Sequence, residues 1–360
     1  MQRLPIPPSA EAIDAAWLEQ ALAGRHPGVR VAAVRVAARQ QWTNAHAWLA
    51  VDYLAAAGAP PTLFCKLPPT DARRGAVIAT GMGLREAAFY RDLAPHVPLR
   101  VPMAHAVLTD PASGEFALLL EDLAASGCRF SDGPAGIDPR AAAGALEDLA
   151  ALHLRYEDPA LREREAPWVP PAPRSDGGYG QAMLRYGLEH HRPRLGERFA
   201  TIAESYIADA PRLLALWSDG PAPPTVIHAD AHIGNLFDDH GRIGFCDWGM
   251  LHVGQGLRDV AYLLTMALTP TDRRAHEREL LRRYLARRVA PGARELAFDE
   301  AWLWYRAYAA YTVVACCQVV TFPPDATPKR RVFADSLLER AQAAIADLHA
   351  GEALAELSAV

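Results

Sequence analysis

Three residues between positions 225 and 249 have the types and spacing to support phosphoryl transfer. In TVIHADAHIGNLFDDHGRIGFCDWG, Asp230 is followed five residues later by Asn235, and Asp247 lies twelve beyond that. Short apolar runs precede the polar groups, TVI before His228 and RIGF before Cys246. The segment therefore reads as brief strands with polar side chains at their exits. Phosphoryl transfer asks little covalent chemistry of a protein. It needs a carboxylate to orient the attacking hydroxyl and oxygen ligands to hold magnesium on the nucleotide phosphates. Asp230 suits the first task, and Asn235 with Asp247 the second. The H-x-D-x-x-x-x-N spacing followed by D-x-G is a phosphoryl-transfer signature.

Two other accounts fit parts of the segment. An Asp or Asn near a strand end is commonly turn chemistry, bonded to its own backbone. A zinc hydrolase is the sharper rival. His228, Asp230 and His232 alternate, so an extended chain would project all three from one face, with Asp247 or His252 completing a ligand set.

Composition bounds the classes. A chain of 360 residues, 51% hydrophobic and 22% charged, is long enough for two lobes with proper cores. A net charge of −5 gives no general attraction to nucleic acid or acidic membranes. The N-terminus lacks the apolar run of a secretory signal, and the longest apolar segment, 307–322, is too short and polar for a membrane span. Five cysteines without framework spacing argue for a reducing, cytoplasmic setting.

Of the 37 basic residues only Lys66 and Lys329 are lysines. Lys66 lies in the apolar run PTLFCKLP, where an ammonium is costly without a partner. A site needing a compact point charge rather than a planar fork would retain lysine there.

The surrounding pattern supplies elements to position these groups. Ser9 is expected to cap a helix over 10–23. Strands are expected at 31–36, 45–53 and 62–67, a helix containing Glu86 at 83–93, and strands at 101–108 and 115–120. Beyond 123, helices dominate, at about 140–156, 196–218, 256–268, 272–288, 298–322 and 330–349. The stretch 157–180, rich in proline, glycine and charge, is expected to be a long substrate-facing loop. The fold class is α+β, with a small β-rich lobe over 1–120 and a larger, mainly helical lobe over 121–360.

The order Lys66, Glu86, LLLEDL (118–123), LAALH (149–153), His228-x-Asp230-x-x-x-x-Asn235 and Asp247-Trp-Gly249 resembles the aminoglycoside phosphotransferase and choline kinase superfamily. REAAFY (85–90) and FCK (64–66) look most similar to its ecdysteroid-kinase-like branch. The resemblance implies a protein-kinase-like bilobal fold that uses ATP or GTP with Mg2+ to phosphorylate a hydroxyl of a small molecule. It implies that Lys66 contacts the nucleotide phosphates while pairing with Glu86, and that backbone groups from Glu121 to Leu123 receive the base. It implies Asp230 as the catalytic carboxylate and Asn235 with Asp247 as magnesium ligands. His228 and Asp259 would support the catalytic loop, and His153 is expected in the core or behind that loop. Three departures stand out. Ala229 replaces the glycine usual between histidine and aspartate. No G-x-G-x-x-G covers the phosphates, the candidate being QQWTNA (40–45), where Thr43 and Asn44 could donate. The P-loop pattern is absent.

The acceptor is less constrained. Glu157, Asp158, Asp176, Asp238 and Asp239 could serve a polycation such as an aminoglycoside. Trp168, Tyr179, Trp302, Trp304, Tyr305 and Tyr308 could line a site for a bulky macrolide- or sterol-like alcohol, or simply pack the helices. Antibiotic resistance is one role open to such an enzyme. The alternatives to a kinase are the zinc hydrolase and a non-catalytic nucleotide-binding pseudokinase.

Overall fold

A computed structural model describes residues 4–289 and 294–359. The chain divides into two compact units, Met1–Arg129 with Gly244–Met250, and Phe130–Ile243 with Leu251–Val360.

The first unit is built on five antiparallel strands: β1 (Arg30–Gln41), β2 (Ala45–Ala55), β3 (Thr62–Leu67), β4 (Ala104–Asp110) and β5 (Glu115–Glu121), in the spatial order β1-β2-β3-β5-β4. Alternating burial along β2 places Ala47, Leu49 and Val51 in a core shared with Leu18, Leu22, Leu63 and Cys65. The first helix is shorter than its sequence pattern suggests. Asp14, not Ser9, is the cap, accepting from the Trp17 amide, and the α-helix spans Ala15–Leu22 after a 3-10 turn at Ala10–Ala12. Glu86 lies on the helix Met82–Ala88, which runs into a π-helical turn at Phe89–Leu93. That helix approaches β5 closely because residue 83 is glycine: a Cβ there would sit 1.9 Å from the Phe116 ring. Phe89 stacks on Trp248 at 3.8 Å, and Arg85 donates to the Gly249 carbonyl, so the segment after Asp247 is fastened to this helix.

The second unit is mainly helical. Its long helices include Pro139–Tyr156, Tyr179–His191, Glu197–Ala208, Gly256–Ala267, Pro270–Arg287, Phe298–Ala309 and Pro328–Asp347. Gly256–Ala267 is buried along its whole length, which makes it the central element. The expected helix over 196–218 is two helices, Glu197–Ala208 and Ala210–Ser218. Asp209 breaks the run and caps the second, whose first turn holds a proline. The stretch 157–180 is not one loop: Asp158 caps a helix at Pro159–Glu165, and another helix begins at Tyr179. The expected helix over 298–322 stops at Ala309 and continues as a one-turn α-helix, Thr312–Ala315, and a 3-10 turn, Val319–Thr321. Thr225–Ile227 pairs antiparallel with His252–Gly254. Among the described residues no helix is long and apolar enough to cross a membrane.

Candidate functional site

The candidate residues fall into two groups, one in each unit. In the first, β3 is flanked by β2 and β5, and the register sets His46 and Leu118 on either side of Lys66. Lys66 is 3% exposed and its Nζ donates to Glu86 Oε2 at 2.5 Å and to Asp247 Oδ1 at 3.0 Å. Burial opposes the ammonium charge, but the carboxylates of Asp247 and Glu86 outweigh it and raise the pKa above its ordinary value. Burial pushes the Glu86 carboxyl up to about 7, against the pull of Lys66. Asp247 differs from its partners in keeping 44% of its side chain exposed. It adopts φ 62°, a left-handed conformation that aspartate tolerates better than most residues.

Asn44 is buried at the β1–β2 turn, and its Oδ1 has no hydrogen-bond partner among the described residues; Thr43 beside it is exposed. At the end of β5, Arg100 grips the Glu121 carboxylate with two hydrogen bonds, at 2.7 and 2.9 Å. The Glu121 amide donates to Met103, and the Leu123 carbonyl accepts from Cys128. Glu121 is thus a strand-end brace as well as a candidate for the base-binding segment, and Arg100 carried no signal of this in the sequence.

The second group is built around Asp230. The backbone leading into it is set by Asp259, near the start of the helix Gly256–Ala267. Asp259 Oδ2 accepts from the His228 amide at 2.6 Å and Oδ1 from the Ala229 amide at 2.8 Å. His153, fully buried, joins Asp259 at 3.4 Å through Nε2 and the Tyr284 hydroxyl at 2.9 Å through Nδ1. Burial works against the Asp259 charge, but His153 and the other donors hold its pKa below the ordinary carboxylate value. Ala229 carries φ 69°, which explains why glycine is the more comfortable residue at this position.

The Asp230 carboxylate is bracketed. The Tyr262 hydroxyl donates to Oδ1 at 3.0 Å, and Asn235 Nδ2 donates to Oδ2 at 3.0 Å and to the Asp230 carbonyl at 2.9 Å. Both partners of the Asn235 amide nitrogen are acceptors, which fixes the amide's orientation and turns its oxygen away from Asp230. That oxygen and the exposed Asp247 carboxylate are hard donors of the kind magnesium takes. Tyr262 was not singled out in the sequence, where an aromatic residue at helical spacing reads as core.

The zinc arrangement does not form. His228 is fully buried and its Nδ1 accepts from the Asp230 amide, while His232 Nδ1 accepts from Gly234. Among the described residues no three His, Cys, Asp or Glu side chains are grouped to hold a metal ion.

Comparison with known proteins agrees with the phosphoryl-transfer chemistry. A model of the phosphotransferase enzyme family matches residues 52–308. Similar solved structures include the GDP complex of wild-type aminoglycoside 2'-phosphotransferase-IIIa, 12% identical over 92% of this chain and 99% of that one, with a TM-score of 0.49. They include a choline/ethanolamine kinase family protein from Mesorhizobium loti, 16% identical over 95% and 98%, with a TM-score of 0.47. Choline kinase LicA from Streptococcus pneumoniae is 13% identical over 92% and 97%, with a TM-score of 0.48. No curated protein sequence matches the chain. With its match spanning well over half the sequence and including Lys66, Glu86, Asp230, Asn235 and Asp247, the chain belongs to the phosphotransferase enzyme family and is a small-molecule phosphotransferase.

Proposed function

We propose that the protein is a magnesium-dependent kinase that transfers the γ-phosphoryl group of ATP or GTP to a hydroxyl of a small-molecule alcohol, of aminoglycoside, macrolide or sterol type. The observation that carries this reading is the bracketed Asp230 carboxylate, held on one oxygen by the Asn235 amide nitrogen and on the other by the Tyr262 hydroxyl. Asp230 orients the acceptor hydroxyl and takes its proton as the oxygen bonds to phosphorus. The bond from the γ-phosphorus to the β–γ bridging oxygen breaks, and the nucleoside diphosphate leaves. Lys66 neutralises phosphate charge, kept cationic and in place by Glu86. Thr43 and Asn44 donate to the phosphates, and the backbone from Glu121 to Leu123 receives the base. Asn235 and Asp247 would hold magnesium, which when bound would supply charge compensation on the phosphate oxygens. His228 and Asp259 fix the loop.

The phrases REAAFY and FCK support the ecdysteroid-kinase-like branch of the family, and the cysteine usage supports a cytoplasmic protein. The test is thermal unfolding with magnesium-ATP, magnesium-GTP, magnesium alone, zinc and no addition. A ligand that binds only the folded state raises the melting temperature. A rise that needs magnesium and a nucleotide together is expected; a rise with zinc and none with nucleotide would favour the hydrolase.

A further inference from the structure

Asp259 and Tyr262 are three residues apart on the helix Gly256–Ala267, so their side chains leave one face of it. Asp259 binds the two amides that precede Asp230, and Tyr262 binds the Asp230 side chain. One helix therefore grips both the Asp230 carboxylate and the backbone of the two residues that lead into it. We propose that Tyr262 is a positioning residue for phosphoryl transfer, which holds the Asp230 carboxylate in the rotation at which it meets the acceptor hydroxyl. The inference rests on Asp230 being the carboxylate that orients the acceptor.

The geometry favours this role over incidental packing. A carboxylate held by Asn235 alone could still swing about its side-chain torsions. With Tyr262 on Oδ1 and Asn235 on Oδ2, both oxygens are fixed, and each retains lone-pair capacity for the incoming hydroxyl. His232 Nε2, at 3.8 Å from Oδ2, is too distant to replace either donor. The Tyr262 hydroxyl is itself immobile: the residue is 5% exposed, with its ring 6.0 Å from Tyr311. Burial and the neighbouring Asp230 charge keep its proton on well above pH 10, so it donates under all working conditions.

The test uses water as the phosphoryl acceptor and reads inorganic phosphate release from magnesium-ATP and magnesium-GTP. Tyr262→Phe is expected to lower kcat about ten- to a hundredfold, the range of a lost hydrogen bond to a charged group, with nucleotide KM within about twofold. Placing p-aminophenylalanine at position 262 retains the shape with a weaker donor, and is expected to give an intermediate kcat even if the phenylalanine variant folds poorly. A merely structural hydroxyl would instead lower the melting temperature and leave kcat per folded molecule unchanged in both variants, which overturns the proposal. Asp230→Asn is assayed in parallel. If it retains near-normal phosphate release, or the wild type releases none, the functional reading itself fails. If Asp230→Asn is inactive while both Tyr262 variants match the wild type, only the role of Tyr262 is lost.

Discussion

Asp259 Oδ1 accepts a hydrogen bond from the Ala229 amide at 2.8 Å, and Ala229 is held at φ 69°. A fully buried carboxylate thus secures a backbone conformation that an alanine avoids when left to itself. The spare binding capacity of Asp259 is taken by His228 and His153, so every partner in this site is a donor.

Asp259→Asn is therefore not a conservative change. An amide offers one acceptor oxygen and one donor nitrogen, and the nitrogen would face an N–H at 2.6 to 2.8 Å. Leaving a buried amide unsatisfied costs on the order of 1–3 kcal/mol, and the loss of a charged acceptor adds to it. Chemical denaturation should place Asp259→Asn at least 2 kcal/mol, roughly, below the wild type. Asp230→Asn, at a partly exposed position, should fall much less. Equal stability of the two variants would show that Asp259 does not hold the loop.

Much of this arrangement was legible in the sequence for a physical reason. Lys66 stood out because lysine is otherwise nearly absent and an apolar strand penalises an unpaired ammonium. Five strands and most long helices followed from periodicity, because each buries one face. What stayed hidden depends on partners distant in sequence. Arg100, just before β4, meets Glu121 at the far end of the paired strand β5, and Tyr262 is marked only by what it touches. The helix Tyr179–His191 was concealed by the Pro- and Gly-rich residues before it. Gly178, at φ 82°, in fact sets its start rather than continuing a loop. The split at Asp209 was hidden in the same way, since a capping Asp close to a proline reads as a break only once two helices are distinguished.

Gly83 links packing to the Lys66 site. Its missing side chain lets the helix bearing Glu86 lie against Phe116, which is 1% exposed. Gly83→Ala would insert a methyl 1.9 Å from that ring, so helix or ring must move. Overpacking of this kind costs typically about 1–3 kcal/mol. Because Glu86 is on the same short helix, the displacement should also loosen its contact with Lys66. The expected result is a lower melting temperature and a smaller additional rise with magnesium-nucleotide. An unchanged melting temperature would mean that the helix has room the geometry does not show.

Acid sensitivity should be concentrated in the first unit. Burial, with the charge of Lys66, lowers the His46 pKa from 6.5 to about 4, and burial, with His26 and Arg25, does the same to His105. His105 also bonds His26 through its Nδ1 at 3.0 Å, with the rings stacked. The sign follows from linkage. Between pH 6.5 and 4 the unfolded chain takes up these protons while the folded chain does not. Stability from both groups is present in full above pH 6.5 and is lost as the pH falls toward 4. Glu86 acts oppositely: its raised pKa favours folding at low pH, and that contribution fades as the pH rises through about 7. Carboxylates with lowered pKa values, such as Glu121, lose their contribution only below about pH 4.5, outside most of the histidine window. Denaturation measured from pH 7.5 to 4.5 should therefore show a decline in wild-type stability that becomes shallower in His46→Gln and in His105→Gln. Each substitution should remove about one proton of uptake on unfolding. If either variant keeps the wild-type slope between pH 6.5 and 5, that histidine is protonated in the folded protein and its burial does not control its charge.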